Sequence, residues 1–252
     1  MKVIFNGVLI PLEQSLCNEL GWLDGAGIFE TIKTVDGKPW ALSRHMRRAV
    51  NSSATVNIVL PSGELVRDSI GALLKEEVHT TGLLRLSFDA TGNWAAVHLA
   101  YKEVSSPAKV GRHPVALVMD GVPVKSYPYN HRLEILEQAR ANGFDEALVI
   151  SSDGKICEGS VTNVLLKIAG RWCTPPLSDG VLAGVMRALV IENCDVMVRS
   201  IAVSEIGDIE SAFLLSSLRI AQPISSIDGR ELSQSPEFRD EIEAMALRTS
   251  VG

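Results

Sequence analysis

Five glycine turns divide this chain into short pieces. Asn6-Gly7, Asp36-Gly37, Thr91-Gly92-Asn93, Asp153-Gly154 and Ala169-Gly170 each separate two runs rich in apolar and β-branched residues. Gly, Asn and Asp tolerate the left-handed backbone of tight turns, so each point reads as a reversal between strands. The first ten residues form one hairpin on this reading. Ile28 to Val35 alternates like a half-buried strand, and Leu83–Phe88 pairs with Ala95–Tyr101. Further strands are expected at Pro114–Met119, between Ala147 and Thr174, near Val196–Val203 and near Ala212–Leu215. Between them lie helical runs. Ser43 and Ser62 are candidate N-caps, and the second helix carries Ile70, Leu73 and Leu74 on one face. Pro128 suits the first turn of a third helix and Gly143 its C-terminal cap. A fourth begins near Gly184, with Met186, Leu189 and Val190. Ser235-Pro236-Glu237 opens the last, striped by Phe238, Ile242 and Met245.

Short helices and strands mixed without strict alternation predict an α/β chain of α+β character in two parts. A length of 252 residues accommodates this. The segment 105–111 holds small residues and a proline and has no periodicity. It reads as a linker between a small N-terminal α/β domain, 1–104, and a larger β-rich domain, 112–252. The formal net charge of −6 argues against a nucleic-acid partner, which demands dense Lys and Arg. No apolar run reaches membrane-spanning length. Cys17, Cys157, Cys173 and Cys194 lack zinc or redox spacing, and no two histidines are placed as metal ligands, so no metal is expected. Few cysteines suggest reduced thiols and a cytoplasmic setting.

The residues that can carry chemistry lie mostly between Lys125 and Arg187. Lys125 stands where a strand gives way to a helix. A lysine amine in a partly desolvated pocket sheds its proton more readily and can then attack an aldehyde. Glu158 lies in Glu158-Gly159-Ser160-Val161-Thr162-Asn163. Gly184-Val185-Met186-Arg187 opens a helix, where the amides of Val185 and Met186 suit a phosphate. Arg48, in His45-Met46-Arg47-Arg48, offers a cation, and Ser217, near the end of a strand, a hydroxyl. Each has another reading taken singly: a solvated lysine, an exposed Glu beside a hairpin, a plain helix entry, a basic helix face, a strand-end turn.

Taken in order, the pieces resemble the class IV aminotransferase family of fold-type IV enzymes, which depend on pyridoxal 5′-phosphate (PLP). Lys125 keeps the family's spacing to Gly143-Phe144-Asp145-Glu146-Ala147. Thr174-Pro175-Pro176-Leu177 precedes Gly184 as expected. Gly25-Ala26-Gly27-Ile28-Phe29-Glu30-Thr31 resembles the family's Gly-Asp-Gly-Val-Phe-Glu-Thr segment. The resemblance implies that Lys125 forms the Schiff base and that Glu158 faces the ring nitrogen. It further implies that Arg48, Val185, Met186 and Ser217 hold the phosphate, that a small molecule is the substrate and that the enzyme is a homodimer. Pro128, Leu20, Asp24 and Ala26 depart from the family pattern, the last three on the substrate side. Arg85 is similar to an arginine of a central strand in the family and reads equally as one half of a structural ion pair.

Within the family, Gly-Val-Met-Arg and Arg132-Leu133-Glu134 lean towards a lyase that converts 4-amino-4-deoxychorismate to 4-aminobenzoate and pyruvate, in folate synthesis. A transaminase for a branched-chain or D-amino acid is the alternative. A PLP-binding protein without turnover is the alternative from another class.

Overall fold

The computed structural model describes residues 1–113, 115–117 and 123–250. Its strands, in chain order, are β1 (Lys2–Phe5), β2 (Val8–Pro11), β3 (Gly27–Val35), β4 (Lys38–Pro39), β5 (Thr81–Asp89), β6 (Trp94–Ala100), β7 (Ala108–Arg112) and β8 (Ser126–Tyr127). They continue with β9 (Glu146–Ile150), β10 (Ile156–Gly159), β11 (Asn163–Ile168), β12 (Arg171–Thr174), β13 (Val196–Val198), β14 (Ile209–Ser216), β15 (Ile220–Ile227) and β16 (Arg230–Glu231). The helices are α1 (Leu42–Val56), α2 (Gly63–Glu76), α3 (Asn130–Ala141), α4 (Val185–Asn193) and α5 (Pro236–Arg248). The chain is thus of mixed α/β class and divides into two compact units. Unit 1 holds Met1–Glu103, Val124–Pro128 and the residues from Thr249; unit 2 holds Val104–Pro123 and Tyr129–Arg248.

Unit 1 is built on an antiparallel sheet of order β2-β1-β6-β5-β3-β4, with β8 also paired to β3. The turns at Asn6-Gly7 and Asp36-Gly37 have positive φ at both residues, the conformation that two-residue hairpins favour. Alternation along β3 and β5 sends Ile28, Ile32, Leu84, Leu86 and Phe88 to one face, where they pack with Ala49, Val66, Ile70 and Leu73 of α1 and α2. Ser62 caps α2 as expected, its hydroxyl accepting from Leu65 N at 3.2 Å. Ser43 does not cap α1. The cap position is Ala41, held in a left-handed conformation, and Ser43 falls in the first turn.

Unit 2 is built on a mixed sheet of order β10-β9-β7-β15-β14-β11-β12-β13, with β16 on β15. Its core includes Val110, Leu148, Ile156, Val164, Leu214 and Ile224. The expected linker 105–111 needs correction: Ala108–Arg112 is β7, paired in parallel with β9 and β15. Ala108 and Val110 are wholly buried, and a Cβ on Gly111 would meet the Phe144 ring at 2.6 Å. The small residues there answer close packing rather than a need for freedom.

The expected boundary 112–252 fails at Lys125, which belongs to unit 1 with β8. Tyr127 and Ser126 pair with Gly27 and Ile28, and Phe29 N donates to Lys125 O at 2.9 Å. Because the chain stays extended there, α3 starts only at Asn130. Pro128 precedes it, in a cis peptide, instead of sitting in its first turn. Gly143 ends α3 as expected: its φ is +82°, and Phe144 N returns to Ala139 O at 3.0 Å. The strand expected at Pro114–Met119 falls partly outside the described residues; Leu117 bridges Ser151 in parallel. Of the strand expected at Val196–Val203, only β13 forms, since Val203 begins a short 3-10 turn. Among the described residues no helix is long and apolar enough to cross a membrane.

The Ser62→Ala variant should lose about 1 kcal/mol of stability through the orphaned amides of α2, read as a lower urea midpoint with an unchanged slope.

Candidate active site

Unit 1 contributes a buried charge cluster and an aromatic face. On β3, Glu30 lies between Ile28 and Ile32 and so faces the helices. It is 1% exposed. Three donors from α1 meet it: Arg48 Nε at 2.8 Å, Arg48 Nη2 at 2.5 Å and His45 Nδ1 at 2.7 Å. Burial works to raise the Glu30 carboxyl. The charge of Arg48 and the hydrogen bonds from Arg48 and His45 outweigh it and hold the group at about 2. Burial lowers His45. Glu30 opposes that, while the charges of Arg48 and Lys125 add to the lowering.

The odd-numbered residues of β3 turn the other way. Phe29 lies under Lys125, whose Nζ stands 4.3 Å from the ring centroid. Arg85, paired across from Thr31, spreads its guanidinium 4.0 Å from the Trp22 ring and 5.5 Å from Phe29. Trp22 meets Phe29 edge-on at 4.8 Å and Tyr127 at 5.5 Å. Among the described residues, the hydroxyls of Ser87 and Tyr127 are buried without a hydrogen-bond partner. Gly27 has no substitute here, because a Cβ would collide with Phe88 O and Tyr127 Oη.

Unit 2 contributes a buried carboxylate beside a helix N-terminus. Glu158, on β10, is 4% exposed. Its Oε1 accepts from Arg132 Nη2 at 2.7 Å, and its Oε2 from Asn163 Nδ2 at 3.1 Å and Leu182 N at 3.0 Å. Asn163 also donates to Leu182 O at 3.0 Å. A Cβ on Gly184 would run into Asn163 Oδ1, so this residue brings α4 hard against β11. Gly184 is the N-cap of α4 and has no side chain to cap it, so Val185 and Met186 occupy the first turn with the amides that a helix leaves unsatisfied. Arg187 reaches back to Pro175 O at 2.7 Å, which fixes the Thr-Pro-Pro-Leu segment before α4. Ser217 follows β14, whose Leu215 pairs with Asn163, so both belong to one end of the sheet.

The expected site residues therefore fall into two sets. Lys125 and Arg48 belong to unit 1, where His45 senses both charges. Glu158, Val185, Met186 and Ser217 belong to unit 2. By residue chemistry each set fits part of PLP: a lysine amine can engage an aldehyde, and a buried carboxylate and uncapped helix amides can engage a ring nitrogen and a phosphate. The sequence did not single out Glu30, His45, Trp22, Tyr127 or the contact of Arg132 with Glu158. Among the described residues no cluster that could hold a metal is present.

The family model of amino-transferase class IV matches residues 27–227. The chain belongs to this family and is a PLP-dependent enzyme. Among its relatives is a bifunctional aminodeoxychorismate lyase / D-amino acid transaminase of Mycobacterium tuberculosis, 26% identical over 94% of each chain. An aminodeoxychorismate lyase of Bacillus subtilis is 25% identical over 69% of this chain and 66% of its own. A branched-chain aminotransferase from Thermoproteus uzoniensis has a similar structure, with a TM-score of 0.86 at 23% identity, over 100% of this chain and 96% of its own.

The Glu30 cluster predicts an acid-sensitive fold. Glu30 titrates near 4.5 when unfolded and near 2 when folded, so its contribution is complete above 4.5 and is lost as the pH falls towards 2. His45 has the same sign, because the unfolded imidazole takes up its proton first as the pH falls below 6.5. Glu30→Gln should be less stable than wild type at about pH 7, and the gap between their urea midpoints should narrow as the pH approaches about 3.

Proposed function

We propose that this enzyme is a lyase that converts 4-amino-4-deoxychorismate to 4-aminobenzoate and pyruvate. The aromatic and cationic face beside Lys125 carries the reading. Trp22 is partly open to water, Phe29 is buried edge-on beside it, and Arg85 sets a guanidinium against both rings. A ring carboxylate that becomes planar on aromatisation suits such a face, lying against the indole while its carboxylate pairs with the arginine. The lyase named among the relatives supports the same choice.

On this reading Lys125 carries PLP, which supplies an electron sink for the carbon bearing the amine. Glu158 serves the ring nitrogen. Arg48, the amides of Val185 and Met186, and Ser217 serve the phosphate. Glu30 holds Arg48 by its Nε and Nη2 edge and so fixes how the guanidinium is presented. Once displaced by the substrate amine, the freed Lys125 amine would remove the proton from the ring carbon that bears the amino group. The bond between the ring and the enolpyruvyl oxygen then breaks, the ring becomes aromatic, and the ammonium of Lys125 returns a proton to the departing group, which leaves as pyruvate. Aromatisation supplies the driving force, and no external oxidant or reductant is needed. The reading carries with it a homodimeric assembly and a cytoplasmic setting, as parts of the proposal.

Amino transfer is the second reading, favoured by the relative named for both activities. Holoenzyme should release 4-aminobenzoate and pyruvate in equal amounts from 4-amino-4-deoxychorismate. With D-alanine or a branched-chain amino acid and 2-oxoglutarate it should be much slower; the reverse order would establish the transaminase. Lys125→Ala should abolish turnover, and borohydride should no longer fix the cofactor to the peptide that contains residue 125.

A further inference from the structure

We propose that Arg132 is a positioning residue that acts on the bound cofactor through Glu158. The inference rests on Glu158 facing the ring nitrogen. Arg132 lies on α3, close after Lys125 in the chain, and reaches a carboxylate 26 residues away. The pair is well sheltered, with side-chain exposures of 16% for Arg132 and 6% for Glu158. A sheltered ion pair is held against the cost of desolvating both groups, unlike a solvated surface pair. Arg132 Nη1 is moreover buried with no hydrogen-bond partner among the described residues, which is a further cost.

The consequence concerns a single carboxylate. Asn163 Nδ2 and the Leu182 amide hold Oε2, and Arg132 holds Oε1, so donors from three segments fix the plane of the carboxylate. From α4, the charge of Arg187 also reaches Glu158. The ring N–H would be one more donor to an acceptor that two guanidiniums already polarise. Arg132 therefore both orients Glu158 and draws on its negative charge, which weakens its hold on the ring proton. The cofactor of this enzyme is a milder electron sink than an unshared glutamate would make it.

Holoenzyme reconstituted with PLP labelled with nitrogen-15 at the ring tests this directly, because the chemical shift of that nitrogen reports its protonation. Arg132→Leu should move the resonance towards that of a fully protonated pyridinium. Arg132→Lys, which keeps the charge, should leave it near the wild-type position. If Arg132→Leu fails to fold, Arg132→Gln carries the same expectation. A resonance unmoved in the Leu or Gln variant, while Glu158→Gln shifts it towards neutral pyridine, would overturn the role of Arg132 and leave the assignment of Glu158 standing. A resonance unmoved by Glu158→Gln would overturn that assignment and the inference with it.

Discussion

A carboxylate cannot be sealed from water by itself. Burying an isolated ionised carboxyl costs tens of kcal/mol in the idealised limit, so a protein that buries one must surround it with donors. This chain does so repeatedly, and Glu30 and Glu158 are the two instances that bear on the expected cofactor residues. Glu30 draws the Arg48 and His45 side chains of α1 onto β3. Glu158 draws in α3 through Arg132, β11 through Asn163, and the segment before α4 through the Leu182 amide. Much of the local geometry around the expected cofactor residues follows from these two demands. The direction of the Arg48 guanidinium, the approach of α4 to β11 and the anchoring of α3 all trace to where a negative charge was placed out of reach of solvent.

Close backbone approach is the second constraint, and it works through glycine. Gly27 lets Tyr127 lie against β3, which keeps β8 and hence Lys125 paired to that strand. Gly184 lets Asn163 meet the start of α4, where any side chain would push the helix off. In both places the absent Cβ is what allows a charged or polar group to be set down firmly: Lys125 beside the Phe29 ring, and Asn163 between Glu158 and Leu182. Each glycine is thus a geometric requirement of the packing in its own unit.

The pattern of turns and apolar faces was legible from residues alone because it depends on neighbours in sequence. The hairpins at Asn6-Gly7 and Asp36-Gly37, the Ser62 cap and the Gly143 stop all rest on local chemistry. What failed depends on distant partners. Ala108–Arg112 looked like a linker because its small residues carry no sign of the strands β9 and β15 on either side. Lys125 was placed in the wrong unit because only the pairing of β8 with β3, about a hundred residues away, binds it there. Motif spacing pointed to Lys125, Arg48 and Glu158 as candidates. It could not find that Glu30 engages Arg48 or that Arg132 engages Glu158, since those contacts are made by folding and leave no periodic trace.

The placement of Trp22 has an optical consequence. Trp40, Trp94 and Trp172 are buried, whereas Trp22 is partly open to water and lies against the Arg85 guanidinium. A neighbouring cation and a change of solvation both alter indole emission. The enzyme thus has a native fluorophore on the same sheet face as Lys125, and a soluble quencher would reach it ahead of the other three. Emission from that one indole makes events on this face visible without any added label.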